Sequence, residues 1–140
     1  ADTLQTTAVQ CGRLDSLIDE IGPAAAIFCD AEGAETMILR GGRQYLSRFT
    51  PVFVLEASPK HLARAGSSLI ELHETLESLG YEAFAVRRFG LEPITDLAQP
   101  GTSNWFCVHR SMRHLVSRCS AAIARCGLMP CVRGLNPLCR

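Results

Sequence analysis

Residues 24–35 read Ala24-Ala25-Ala26-Ile27-Phe28-Cys29-Asp30-Ala31-Glu32-Gly33-Ala34-Glu35. The first half is an unbroken apolar run, stopped by Gly22-Pro23 on one side and by a carboxylate on the other. A short run of that kind predicts a buried strand. The acidic cluster then falls at the strand's carboxyl end, in the turn that opens the next helix. Open parallel α/β sheets bind their ligands at that edge. A second run, Val52-Phe53-Val54-Leu55, follows a helical pattern and also ends in a carboxylate, Glu56. Two buried strands delivering Asp30 and Glu56 to one edge is the arrangement of a site, because neither carboxylate is needed to build a core.

Upstream of this stretch, a weak strand signal covers Thr6 to Val9. Leu14, Leu17, Ile18 and Ile21 then fall at helical spacing and stop at Gly22-Pro23. Downstream, a helix is expected from about Gly33 to Arg40, with a shorter piece continuing to Phe49 after Gly41-Gly42. The best-marked helix begins at Ser68. Ser68 and Glu71 have capping-box spacing, Leu69, Leu72, Leu76 and Leu79 form the buried stripe, and Gly80 supplies the stop. Tyr81 to Val86 reads as a third strand. Residues 90–102 contain Pro93, Pro100 and Gly101 and read as a loop, and Asn104-Trp105-Phe106-Cys107-Val108 as a fourth strand. Strand, helix, strand, helix, strand predicts three parallel strands joined by right-handed crossovers. The fourth strand has no helix before it and is expected to return antiparallel. An amphipathic helix follows, marked by Met112, Leu115, Val116, Cys119, Ala122, Ile123 and Cys126.

The 140 residues suit one α/β domain, and an apolar share of 47% argues against disorder. All 14 acidic residues lie at or before Asp96, and after it come only arginines, six of them. Those arginines are spaced at intervals along the tail, which reads as a solvated helix face and not as a nucleic-acid surface. No window has the length of a membrane span. The seven cysteines are odd in number, and Cys29 and Cys107 sit inside strand patterns; a reducing, cytoplasmic setting is expected. Structural zinc sites use short paired cysteines. Cys126 and Cys131, with four residues between them, have no second such pair, so no metal is expected.

Several stretches, in order, resemble the FkbM-type methyltransferases: Leu14-Asp15-Ser16-Leu17, Asp30-Ala31-Glu32-Gly33-Ala34-Glu35, Leu39-Arg40-Gly41-Gly42, Pro51 through Glu56, and Asn104-Trp105-Phe106-Cys107. The Asp-x-Glu-Gly-x-Glu turn followed by Leu-Arg-Gly is the most specific piece. The resemblance implies the C-terminal half of a Rossmann-like class I methyltransferase sheet, with the fourth strand inserted between the second and the third. It implies S-adenosylmethionine as cofactor and methylation of a hydroxyl on a small molecule or sugar. On that basis residues 1–109 form the C-terminal part of a methyltransferase domain, and residues 110–140 an Arg/Cys-rich helical tail. The glycine-rich turn that would cradle the cofactor's amino-acid end has no counterpart before Asp15. The chain, opening at Ala1, therefore reads either as part of a longer enzyme or as a truncated relative of one.

The resemblance and the expected edge together nominate the site. Asp30, Glu32 and Glu56 are the catalytic candidates, with Asp30 and Glu35 towards the cofactor. His61, in the connection after Glu56, and Asn104, opening the fourth strand, are the candidates for substrate contact. Each has a bland counterpart: Asp30 as a helix cap, Glu32 and Glu35 as first-turn acids complementing the helix dipole, and His61 as an exposed loop histidine. The functional alternative is a non-catalytic remnant or interaction module that associates, with itself or a partner, through an uncovered sheet edge.

Overall fold

A computed structural model describes residues 7–97 and 103–128. Thr6 of the weak first strand signal, and Cys131 and Cys139 of the tail, lie outside those residues, and Thr7 to Val9 are not a strand. The strands are β1 (Ala26–Cys29), β2 (Val52–Ala57), β3 (Tyr81–Arg87), β4 (Gly90–Pro93) and β5 (Ser103–His109). The helices are α1 (Ile18–Ile21), α2 (Glu35–Gly41), α3 (Arg43–Phe49), α4 (Pro59–Arg64), α5 (Leu69–Ser78) and α6 (His114–Leu128). All five strands form one sheet in the order β1-β2-β5-β3-β4. β1 and β2 run parallel, while β5 is antiparallel to both β2 and β3, which leaves β3 parallel to β2.

The expected insertion of the Asn104 strand between the second and third strands is therefore present. The segment read as a loop is in part a strand. β4 pairs antiparallel with β3 at the outer edge, so the sheet has two antiparallel strands and not one. Gly90 and Pro93 hid it. Proline lacks an N–H to donate but is tolerated on an edge strand.

Burial alternates along β2, with Phe53, Leu55 and Ala57 buried and Val52, Val54 and Glu56 half-buried. The first set joins Leu39, Tyr45, Leu46, Leu72, Leu76, Trp105 and Cys107 in the larger core. On the opposite face Val52 and Val54 pack with Phe84, Phe106 and Val108 beneath Met112, Val116 and Cys119. Helices thus cover both faces of the sheet. The capping of α5 is half as expected: the Ser68 hydroxyl accepts from the Glu71 N–H at 3.1 Å. The Glu71 carboxylate, however, accepts from Ser67 and Arg40, and those bonds hold it below the usual carboxylate range. Of the first helical stripe, Leu14 and Ile18 pack on the core, whereas Leu17 and Ile21 are exposed.

Candidate functional site

Register decides which residues meet at the carboxyl edge. Cys29 pairs with Leu55 across the parallel strands, so Asp30 and Glu56 come next on neighbouring chains. Glu56 in turn pairs with Asn104 across the antiparallel ladder. Side chains alternate along a strand, and Phe28, Val54 and Phe106 form the preceding row on one face. By continued alternation Asp30, Glu56 and Asn104 form the next row, a polar rim over an apolar one. Phe28, at the open edge, is 71% exposed. Asp30 and Asn104 are themselves exposed. Asp30 does not cap α2, whose N-cap is Ala34 with no side-chain bond.

Glu32 joins this row from the β1–α2 connection, and His61, expected in a connection, from the first turn of α4. Ser58 caps α4, accepting weakly from the His61 N–H at 3.5 Å, and Pro59 occupies the first helical turn. That brings the His61 ring back over the end of β2. Its Nδ1 lies 3.1 Å from Glu56 Oε2 and 3.3 Å from Glu32 Oε2. Glu32 holds a left-handed backbone, φ 51°, unusual for a residue with a side chain. It is fixed there by Arg64, whose guanidinium donates to both its carbonyl oxygen and its Oε2 at 3.2 Å. Arg64 carries no sequence signal beyond its spacing of three from His61, which puts both on one helix face.

Glu35 is placed differently. It is 1% exposed, and its Oε1 accepts from the N–H groups of Ala31 at 3.0 Å and Gly33 at 3.3 Å. Its Oε2 is buried with no partner among the described residues. This carboxylate shapes the 31–33 turn from within, a role its sequence position alone does not reveal. Beside it, burial pushes the Cys29 thiol up to about 11, with the Glu35 and Asp30 carboxylates adding to the effect. Gly33 is pinned as well. Its φ is +108°, and an added Cβ would fall on the His61 carbonyl.

Residues 1–83 match the model of the methyltransferase FkbM domain, more than half of the chain. The chain belongs to that family. Neither the curated proteins nor the solved structures contain a match. As an FkbM-domain chain it falls among methyltransferases, enzymes that in general use S-adenosylmethionine. No helix among the described residues is long and apolar enough to cross a membrane.

The donor set at the edge, three carboxylates and a carboxamide, suits hydroxyl groups and cationic centres. A backbone cradle for the cofactor's amino-acid end would need an open glycine turn between strand and helix. The β1–α2 turn does not offer one, because its glycine is packed against the His61 carbonyl. The described residues therefore do not fit a whole S-adenosylmethionine. Their chemistry is confined to what the carboxylates, the carboxamide and the imidazole do themselves.

Proposed function

We propose that this chain carries the acceptor-side edge of an S-adenosylmethionine-dependent methyltransferase that acts on a hydroxyl of a small molecule or sugar in the cytoplasm. One observation carries the reading: in a chain of the FkbM family, Asp30 directly follows β1 at the carboxyl edge where Glu56 and Asn104 pair across β2 and β5. In this reading Asp30 orients the acceptor hydroxyl and faces the cofactor's positive charge, while Asn104 and His61 contact the substrate. Glu32 and Glu56 complete the acidic set, and Glu35 serves the cofactor indirectly by holding the turn that carries Asp30 and Glu32. Methyl transfer depends chiefly on in-line placement of the acceptor oxygen, so positioned hydrogen-bond acceptors are the contribution required. The methyltransferase part extends to about residue 109, with residues 110–140 as an Arg/Cys-rich appendage. Contacts to the cofactor's amino-acid end are left to polypeptide outside the described residues.

Titration calorimetry tests this. The 140-residue chain alone should bind S-adenosylmethionine weakly or not at all. A protein extended upstream of Ala1 should bind it and methylate a hydroxylated acceptor, and Asp30→Asn should lower turnover about 100-fold or more without changing the unfolding midpoint. Full turnover in Asp30→Asn would refute the assignment.

A second reading rests on the open side of β1. Among the described residues that strand pairs only with β2, and Phe28, Ile21 and Met37 are exposed. An open edge with apolar side chains favours association, here of two copies through β1.

A further inference from the structure

Of the groups at the carboxyl edge, His61 has the most closely placed acidic neighbours. Its Nδ1 faces Glu56 Oε2 and Glu32 Oε2 at once, at 3.1 and 3.3 Å. Ionised carboxylates are acceptors only. Glu56 is the hydrogen-bonded one, so Nδ1 carries the hydrogen towards it, with Glu32 alongside as a second charge; in the neutral imidazole the other nitrogen is then left with its lone pair. Nε2 has no hydrogen-bond partner among the described residues, and the side chain is 23% exposed. We propose that His61 is the proton acceptor for the substrate hydroxyl, working through a bare Nε2, with Glu56 and Glu32 as its positioning residues; this rests on the methyltransferase reading above.

The proton step balances without further reagents. The hydroxyl O–H bond breaks, its proton moves to Nε2, and its electron pair stays on the oxygen, which becomes the nucleophile. The ring becomes an imidazolium facing two carboxylates, with the Arg64 guanidinium on the far side of Glu32. The proton leaves through the exposed part of the ring. General bases of this kind contribute by being held within hydrogen-bond reach of the proton they take.

The plain alternative is that His61 merely clips the 30–33 turn to α4. That clip already exists without the ring. Arg64 binds both the carbonyl and the carboxylate of Glu32, and Gly33 packs on the His61 carbonyl. The Glu56 backbone, in turn, is already held by the β2 ladder, where it pairs with Asn104. The ring therefore adds little that the turn needs, but it gains an enforced tautomer. A positioned base is the use that such an arrangement serves.

Two readouts test this, the first on this chain and the second on the upstream-extended protein whose activity is tested above. The first needs no cofactor: nuclear magnetic resonance of isotope-labelled ring nitrogens, at a pH where the ring is neutral. The expected result is hydrogen on Nδ1 with Nε2 bare, shifting towards the Nε2–H form when Glu56→Ala and Glu32→Ala are combined. An Nε2–H ring in the unsubstituted protein overturns the proposal. The second is kinetic. His61→Gln should lower kcat about 100- to 10,000-fold, a larger change than any in KM; a loss in kcat below about tenfold overturns it. The two failures are separable. Bare Nε2 with no methylation of any hydroxylated acceptor sinks the methyltransferase reading, and with it the catalytic use. An active enzyme with an Nε2–H ring sinks the His61 role alone.

Discussion

Gly33→Ala tests the packing on which the site is built. Two costs add. First, φ at Gly33 is +108°, a region where a residue with a Cβ is strained by about 1–2 kcal/mol. Second, the new Cβ would sit 2.6 Å from the His61 carbonyl carbon and 3.1 Å from the Ala65 Cβ. Carbon atoms in contact rest about 3.5–4.0 Å apart, so the turn and α4 must separate by about 1 Å. Because the obstacle is backbone, no side chain can swing away, and overpacking of this kind adds about 1–3 kcal/mol. The expected loss is about 2–5 kcal/mol. Gly66→Ala is the control: its φ is +78°, yet nothing lies within 4 Å of the added Cβ. It should lose only the conformational part, about 1–2 kcal/mol. Urea unfolding followed by circular dichroism reads the difference. With a slope of about 1–3 kcal/mol per molar for a small protein, the two midpoints should differ by about 1 M. If Gly33→Ala unfolds no earlier than Gly66→Ala, α4 does not press on the turn, and the alignment of His61 with Glu32 loses its support.

Two further outcomes are expected. The Cys29 thiol is raised from 9.0 to about 11 by burial and by Glu35 and Asp30, so the folded state holds that proton more tightly than the unfolded chain. The associated stability is fully present below about pH 9 and is lost as the pH climbs through about 11, a decline of up to about 3 kcal/mol for this group. Cys29→Ala should flatten the decline measured by urea unfolding at pH 9, 10 and 11, and an unchanged slope would refute the assignment; burial pushes Cys107 in the same direction, so part of the decline should remain. If β1 is the contact between two copies, sedimentation of the chain at micromolar concentration should show dimers. Phe28→Lys, which removes roughly 1.5–3 kcal/mol of burial per copy, should return them to monomers, and a chain that is monomeric throughout would discard that reading.

Much of this molecule is legible from local pattern. The apolar runs at 24–29 and 52–55 become β1 and β2, and each delivers its carboxylate to the same edge, because a run too short for a helix and free of polar residues has few other ways to be buried. The Ser68 cap and the leucine stripe of α5 stand where their spacing puts them. The misread segment, 90–93, failed for a physical reason: at the rim of a sheet, glycine and proline are compatible with pairing, whereas local rules count them as breakers.

What the sequence determined by itself is the order of β1, α2, α3, β2, α5, β3 and β5 and the choice of edge, since these follow from periodicity over a few neighbouring residues. The division of labour among the acids was decided only by the tertiary structure. Glu32 and Glu35 are three positions apart in one turn, yet Glu32 faces outward to His61 and Arg64 while Glu35 is sealed inside against the N–H groups of its own turn. The difference comes from α4. Its His61 carbonyl presses on Gly33, Arg64 fixes the left-handed backbone at Glu32, and the resulting turn directs one carboxylate to solvent and the other to the core. Arg64 is 32 residues from Glu32 in the chain. A contact across that separation exists only once the sheet has brought the two connections together.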